Sequence, residues 1–430
     1  INANGTQTNI FGALMGMTEV ASTQGLIDFG IVSASTVTLE GVNIAGLLQS
    51  EAALTGAFTA NESVLAQAIT LSGTSFDFLD GFEATNNGGG TAAFTNSGLV
   101  MTTDGEADGD ITTTGDLTAT TLDAGGAIAV GGNLSLGDEA TAGSNVSITG
   151  TSTIGDRIIA GNNITLTGAG TFAVNGGATD RGLFAGGSLT TAALNTNGQD
   201  TTLAGAEINF TGGSSSVMGG GALAIEPDSN ARDINIGTPI AGNPGPTSLD
   251  LTDTDLAAIA SGFDSVTIGI AGGTHDIVFG SSTFRNATVF NYQNGTANVT
   301  GNIVANGAGS SLAFLGGDSG GTTLSANVTT DGAGITFDDD VTLGAASVVA
   351  NNGAGNGTGT IDFDGAVDGA FALTVIGTDG AVDMDGAIGA STPLASLAIS
   401  GANVSINNGI GTMGAAGVAG TTAITGANTL

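Results

Sequence analysis

The chain has 430 residues, 40% of them hydrophobic, and carries 39 acidic residues against four Lys plus Arg, a net charge of -35. That balance excludes the basic footprint that nucleic-acid binding needs and disfavours anionic membrane surfaces, and no apolar run approaches the roughly 18 residues of a membrane-spanning helix, so no membrane insertion is expected. The 76 glycines lack a Gly-X-Y period and come with only five prolines, which excludes collagen, while the absence of Trp and the single Tyr leave Ala, Val, Ile, Leu and 18 Phe to build a thin core.

In chain order, residues 1–94 read as irregular N-terminal coils. Phrase-like strands start at Val37 and Ile69, and the Ala- and Leu-rich stretch 45–68 predicts one or two short helices. Residues 95–243 read as a regular β-solenoid. Its signature is apolar, any, apolar, any, Gly or small, polar, apolar, as in Ile128-Ala129-Val130-Gly131-Gly132-Asn133-Leu134. The first apolar residue falls at Ile111, Ile128, Val146 and Ile164, in steps of 17, 18 and 18 residues. Looser copies begin at Leu183, Ile208, Ile234, Val266, Ala297, Ile335, Ile361, Val382 and Val404. Strand-like alternation inside a fixed period near 20 residues is the mark of a repeat architecture. Glycines at the phrase ends are expected to supply positive φ at corners.

Residues 244–265 interrupt the pattern with a loop, marked by Pro244 and Pro246, and a short helix near 252–261. There Thr252-Asp253-Thr254-Asp255 forms a capping box ahead of the apolar turn Leu256 to Ile259, and Gly262 is the expected stop. Residues 266–430 resume the solenoid. The expected fold is therefore all-β: a right-handed parallel β-helix of about 18–26 residues per coil. A lone coil buries too little to hold itself, so stability must come from its neighbours. Thr422 to Leu430 still read as solenoid with no polar cap. The expectation is a longer natural chain or head-to-tail stacking of copies. The missing initiator Met and signal peptide point to a processed product or an excerpt, and the absence of cysteine fits a secreted protein without disulfides.

The best-defined polar constellation lies in the C-terminal coils. Aligning Ile335, Ile361, Val382 and Val404 puts Phe337, Phe363, Met384 and Ile406 inward. Asp338, Asp364, Asp385 and Asn407 then form one outward ladder, beside Thr336, Asp362, Asp383 and Ser405. Clustered carboxylates suit a hard cation, which makes Asp338, Asp339, Asp340, Asp362, Asp364, Asp383 and Asp385 candidate calcium ligands, with Asp338-Asp339-Asp340 the foremost spot. The competing account is a solvated acidic face. Two carboxylates about 5 Å apart in water repel by only about 0.8 kcal/mol, so no metal is required. The calcium nonapeptide of secreted toxins is absent. Catalysis has little behind it. The lone His275, next to Asp276, reads as a surface histidine. The arginines Arg157, Arg181, Arg232 and Arg285 are scattered, and Gly88-Gly89-Gly90 and Gly219-Gly220-Gly221 lack the Lys-Ser/Thr of a phosphate loop.

Two stretches resemble the repeat region of filamentous-haemagglutinin-like bacterial surface adhesins. One is Leu249-Asp250-Leu251-Thr252-Asp253-Thr254-Asp255-Leu256 followed by Val266-Thr267-Ile268-Gly269. The other runs from Ile361 to Leu397. The secretion domain of that family is not recognisable, and Ile1-Asn2-Ala3-Asn4-Gly5 is only a faint echo of its Asn-Pro-Asn-Gly-Ile segment. The resemblance implies an extracellular or cell-surface protein of a Gram-negative bacterium, in adhesion or biofilm. The expected role is a non-enzymatic shaft or fibre subunit whose partners are copies of itself, with host or cell-surface glycans as further candidates. No cofactor is required on this reading, calcium being the one candidate. The alternatives are a calcium-dependent surface-layer subunit and a carbohydrate-binding or carbohydrate-cleaving β-helix.

Overall fold

The computed structural model describes residues 8–11, 14–17, 20–21, 29–33, 37–39, 42–43, 46–50, 54–84, 91–96, 98–101, 104–174, 181–238, 247–317, 320–351, 358–411 and 417–429. Pro244, Pro246, the Gly88 to Gly90 run, Ile1 to Gly5 and Leu430 lie outside them. The chain divides into two compact units, residues 1–197 and 198–430. Both units are β-solenoids of stacked parallel coils.

In the first unit each regular coil has three short strands, and each strand pairs in parallel with its counterpart one coil away. The first ladder runs Ile111↔Ile128↔Val146↔Ile164. The second runs Leu117↔Leu134↔Ser152↔Gly170, and the third Leu122↔Ala140↔Ile158↔Leu183. The phrase Ile128 to Leu134 is thus a strand, a corner and the first residue of the next strand. Alternation follows from the pleat: Ile128 and Val130 are buried while Ala129 is only partly so.

Three expectations need correction here. Leu183 is not the next copy of Ile164; it belongs to the third ladder, and Ile164 pairs with Leu189. The same apolar-x-apolar pattern serves all three faces, so the phrase alone does not say which face it is on. The short helices expected in 45–68 are strands, Leu47–Ser50, Leu54–Ala60 and Val64–Ala66. Pairing of Leu48 with Ile69, Phe58 with Phe76 and Val64 with Phe82 decides the matter, because tertiary packing overrides the helix propensity of Ala and Leu. Phe58, Phe76, Phe78, Phe82 and Phe94 pack there as one aromatic cluster, with centroids 5.5–6.0 Å apart.

The corner glycines of this unit give the third. At Gly143 a Cβ would sit 2.1 Å from the carbonyl oxygen of Gly125 in the coil before. The requirement there is close approach of stacked backbones, whereas Gly81 in this unit and Gly237, Gly269 and Gly369 in the second have the expected positive φ.

In the second unit the main ladder is Val266↔Thr288↔Leu312↔Ile335↔Ile361↔Val382↔Val404. The expected alignment of Ile335, Ile361, Val382 and Val404 is the observed register. Phe337, Phe363 and Met384 are fully buried and Ile406 nearly so. Phe314, Phe337 and Phe363 stack with centroids 4.8 and 4.9 Å apart and planes within 17°. A second ladder runs Ile277↔Ala297↔Thr322↔Val341↔Val367. Ala297 is therefore also on a different face from Val266.

The insertion breaks chain order. Asp233–Ile236 pairs with Ile277–Phe279 on one edge and with Ser248–Leu251, later in sequence, on the other. The chain doubles back to add a rung, then forms the helix Asp253–Ala258, which ends with Ile259 as its C-cap and not at Gly262, the expected stop. The expected capping box is present: Thr252 accepts from the Asp255 N–H, and Asp255 Oδ2 accepts from the Thr252 N–H at 3.0 Å. Asp255 Oδ1 also accepts from the Phe210 N–H at 3.0 Å, which ties the helix to the preceding strand.

Candidate functional site

A strand ladder satisfies the backbone along each flat face, but at a corner the chain turns and some N–H groups lose their strand partner. Here side-chain oxygens from the coil before take their place. Asp116 Oδ1 accepts from the Asn133 N–H at 2.8 Å, and Asn133 Oδ1 in turn accepts from the Thr151 N–H at 2.9 Å. Along another corner Asn145 accepts from Asn163, and Asn163 from Ser188. The second unit repeats the device: Asp276 accepts from Thr296, Asn302 from Asn327, Asn327 from Val348, and Asp340 from Ala366. Short acceptors at a corner therefore stitch coil to coil. Sequence reasoning gave these residues no such role: Asn133 was only the polar position of the phrase and Asp340 a candidate calcium ligand. The signal was available as Asp or Asn recurring one coil apart, directly before a first apolar residue.

The acidic ladder lies on the outward side of the main ladder. Thr336, Asp362, Asp383 and Ser405 are directly opposed in register, as expected. Asp362, Asp364 and Asp385 each offer an oxygen within 4.8 Å of the others. Burial, then the charges of Asp364, Asp385 and Asp383, push the Asp362 carboxyl up to about 6. Asp364 is raised by burial and by Asp338 and Asp385. Asn407 Nδ2 donates to Asp385 Oδ1, bridging the ladder where the acids end. Asp383 and Asp338 stand outside the three-carboxylate group.

The Asp338-Asp339-Asp340 run does not form a ligand set. Asp338 and Asp340 are exposed, and Asp340 caps the Ala366 N–H. Asp339 instead turns inward and is 5% exposed. Its Oδ1 accepts from Thr322 Oγ1 at 3.1 Å and from Tyr292 OH at 3.4 Å, and the two hydroxyls lie 2.6 Å apart. The expectation of an outward triple fails because successive residues at a corner point in different directions. Gly316 makes room for the carboxyl: a Cβ there would meet Asp339 Oδ2 at 1.9 Å. Burial pushes Asp339 up to about 6 and raises the Tyr292 phenol as well.

His275 is the second displaced residue. Far from lying on the surface, it is fully buried, with Nε2 at 2.8 Å from the Asn291 carbonyl and Nδ1 at 3.3 Å from the Asn230 carbonyl. Both ring nitrogens are thereby engaged with backbone, and Asp276 caps the Thr296 N–H instead of orienting the ring. A Ser-His-Asp relay is not assembled there. The arginines differ in setting. Arg157 pairs with Glu139 at 2.7 Å, Arg232 pairs with Asp228, and Arg181 is buried. Arg285 donates through Nη1 to the Ala257 carbonyl at 3.1 Å, between two depressions that flank the inserted helix. Among the described residues no helix is long and apolar enough to cross a membrane. No family model matches the chain, and neither a curated protein nor a solved structure is detectably similar to it.

Proposed function

We propose that this chain is a non-enzymatic structural protein, a β-solenoid shaft or fibre subunit of a bacterial surface filament, adhesin or biofilm matrix. The observation that carries the reading is the use of the corner residues. Asp116, Asn133, Asn163, Asn302 and Asn327 face outward, where a binding protein would present recognition groups, yet they accept backbone N–H bonds from the next coil. Coil-to-coil contact is therefore made by one repeated, self-complementary chemistry: parallel strand edges plus corner acceptors. A coil of another copy can be joined by the same rule, so end-to-end stacking needs no separate interface. The resemblance of 249–256, 266–269 and 361–397 to haemagglutinin-like surface proteins supports a site outside a Gram-negative cell. The charge of -35 keeps a long β-structure soluble there. Negative-stain microscopy over a concentration series tests this. Rods that lengthen with concentration are expected, and compact particles that never elongate refute the fibre.

A second reading, a calcium-dependent surface-layer subunit, is favoured by the convergence of Asp362, Asp364 and Asp385. Calcium titration followed by calorimetry separates the two. Binding that Asp385→Asn weakens, with assembly lost in chelator, supports calcium; assembly indifferent to chelator removes it.

A further inference from the structure

The helix Asp253–Ala258 rides against the strand Ser282–Phe284, and the chain on either side of it leaves a concave surface. One depression, of about 510 Å³, is bordered by Ser281, Thr283, Asn302 and Val304. The other, of about 670 Å³, is bordered by Ser261, Asn306 and the Gly307 turn. Arg285 lines both. Asn286 fixes the wall of the second: its Oδ1 accepts from the Gly262 and Phe263 N–H groups and its Nδ2 donates to the Ala260 carbonyl. The groove is thus built on pinned backbone.

Arg285 is the one cation lining the groove, beside the carboxylates Asp253 and Asp264. In a chain with 39 acids, Arg285 has no carboxylate at ion-pairing distance among the described residues. One of its N–H groups is held by Ala257 O, which anchors the planar fork of a residue that lines both depressions. Such a fork matches a carboxylate in two-point geometry. The neighbouring groups are uncharged hydroxyls and amides that can both donate and accept, the chemistry that pairs with sugar hydroxyls. Asp253 and Asp264 at the two borders, together with the net charge of -35, repel a polyanion.

We propose that the groove beside the inserted helix is a binding site for a sugar acid: one carboxylate held by Arg285, with hydroxyls on Ser281, Thr283, Asn302 and Asn306. The site stands whether or not copies stack, because every residue in it belongs to one unit. Calorimetric titration of the full chain with glucuronate, glucose and acetate tests it. Glucuronate is expected to bind at least tenfold tighter than either glucose or acetate, and Arg285→Gln to remove its advantage over glucose. Val304→Glu, at a strand residue 37% exposed, adds charge and bulk to the groove without touching the core, so it is expected to abolish binding with an unchanged far-UV circular dichroism spectrum. Arg157→Gln, outside the groove, leaves glucuronate affinity unchanged. Equal affinity for glucose or acetate, a preference that survives Arg285→Gln, or no saturable glucuronate binding would each overturn the assignment.

Discussion

Asp339 is expected to contribute stability to the second unit in mild acid that is lost at neutral pH. Its carboxyl is raised by burial from the ordinary 3.8 to about 6, against the opposing effect of hydroxyl donation from Thr322 and Tyr292. A folded-state value above the unfolded one means that the folded protein binds the proton more tightly. The associated stability is complete below about pH 4 and is lost as pH rises through about 6. At 1.36 kcal/mol per pH unit, the rise of roughly two units corresponds to about 3 kcal/mol. Asp362, raised to about 6, and Glu207, raised to about 7 by burial and then by Asp250, act in the same direction. The variant Asp339→Asn isolates one contribution, since an amide keeps the acceptor for Thr322 and Tyr292 and is neutral at every pH. Urea unfolding between pH 4 and pH 7.5 can be followed by the fluorescence of Tyr292, the only tyrosine, which touches Asp339 directly. The variant is expected to match the parent near pH 4 and to exceed it by up to about 3 kcal/mol at pH 7.5. A constant deficit across the range would show that the ionised carboxylate is the stabilising form and would refute the argument.

Removal of the middle ring of the Phe314–Phe337–Phe363 stack by Phe337→Ala is expected to cost about 3–5 kcal/mol in urea unfolding of the second unit. Gly143→Ala, with Gly125 O at 2.1 Å from the new methyl, should cost about 1–3 kcal/mol. Gly137→Ala, where the nearest atom is 3.4 Å away, should be nearly neutral; equal effects would remove close approach as the reason for corner glycines. Asp116→Ala leaves the exposed Asn133 N–H to water in place of its acceptor and should lower stability by about 0.5–1.5 kcal/mol, whereas Asp116→Asn retains most of it. If both lose the same amount, the carboxylate charge and not the hydrogen bond is what matters.

The parts of the fold that were legible in the sequence are those governed by period two and by the coil length. Ile335, Ile361, Val382 and Val404 are all branched and each is followed two residues on by another apolar side chain, so their register and the inward Phe337, Phe363 and Met384 followed from the pattern although the steps differ. The capping box at Thr252 was equally local, requiring only residues three apart. Face identity was not legible, because Leu183 and Ile164 carry the same pattern on different ladders. Nor was the out-of-order rung Ser248–Leu251, whose place depends on a pairing that chain order argues against. In the candidate site, the opposition of Thr336, Asp362, Asp383 and Ser405 was read correctly, while the inward turn of Asp339 and the burial of His275 were not.

Both misplaced residues sit at corners, and that location accounts for the failure. On a strand the pleat alone assigns a side chain to inside or outside. At a corner the assignment depends on space supplied by other coils. Asp339 can enter only because residue 316, one coil earlier, has no side chain. His275 fits because Gly269 and Gly273 lack a Cβ that would stand 2.7 and 2.4 Å from its ring nitrogens. The glycines that permit these buried polar groups are indistinguishable, in sequence, from those such as Gly143 that only let backbones stack. Acidic residues in this chain therefore divide by corner neighbour: Asp116 and Asp340 have an orphan N–H within reach and stitch coils, Asp339 has a void and goes inside. Asp362 instead lies within the strand Ile361–Phe363, where the pleat puts it beside Asp364 and Asp385, each offering an oxygen within 4.8 Å of the others.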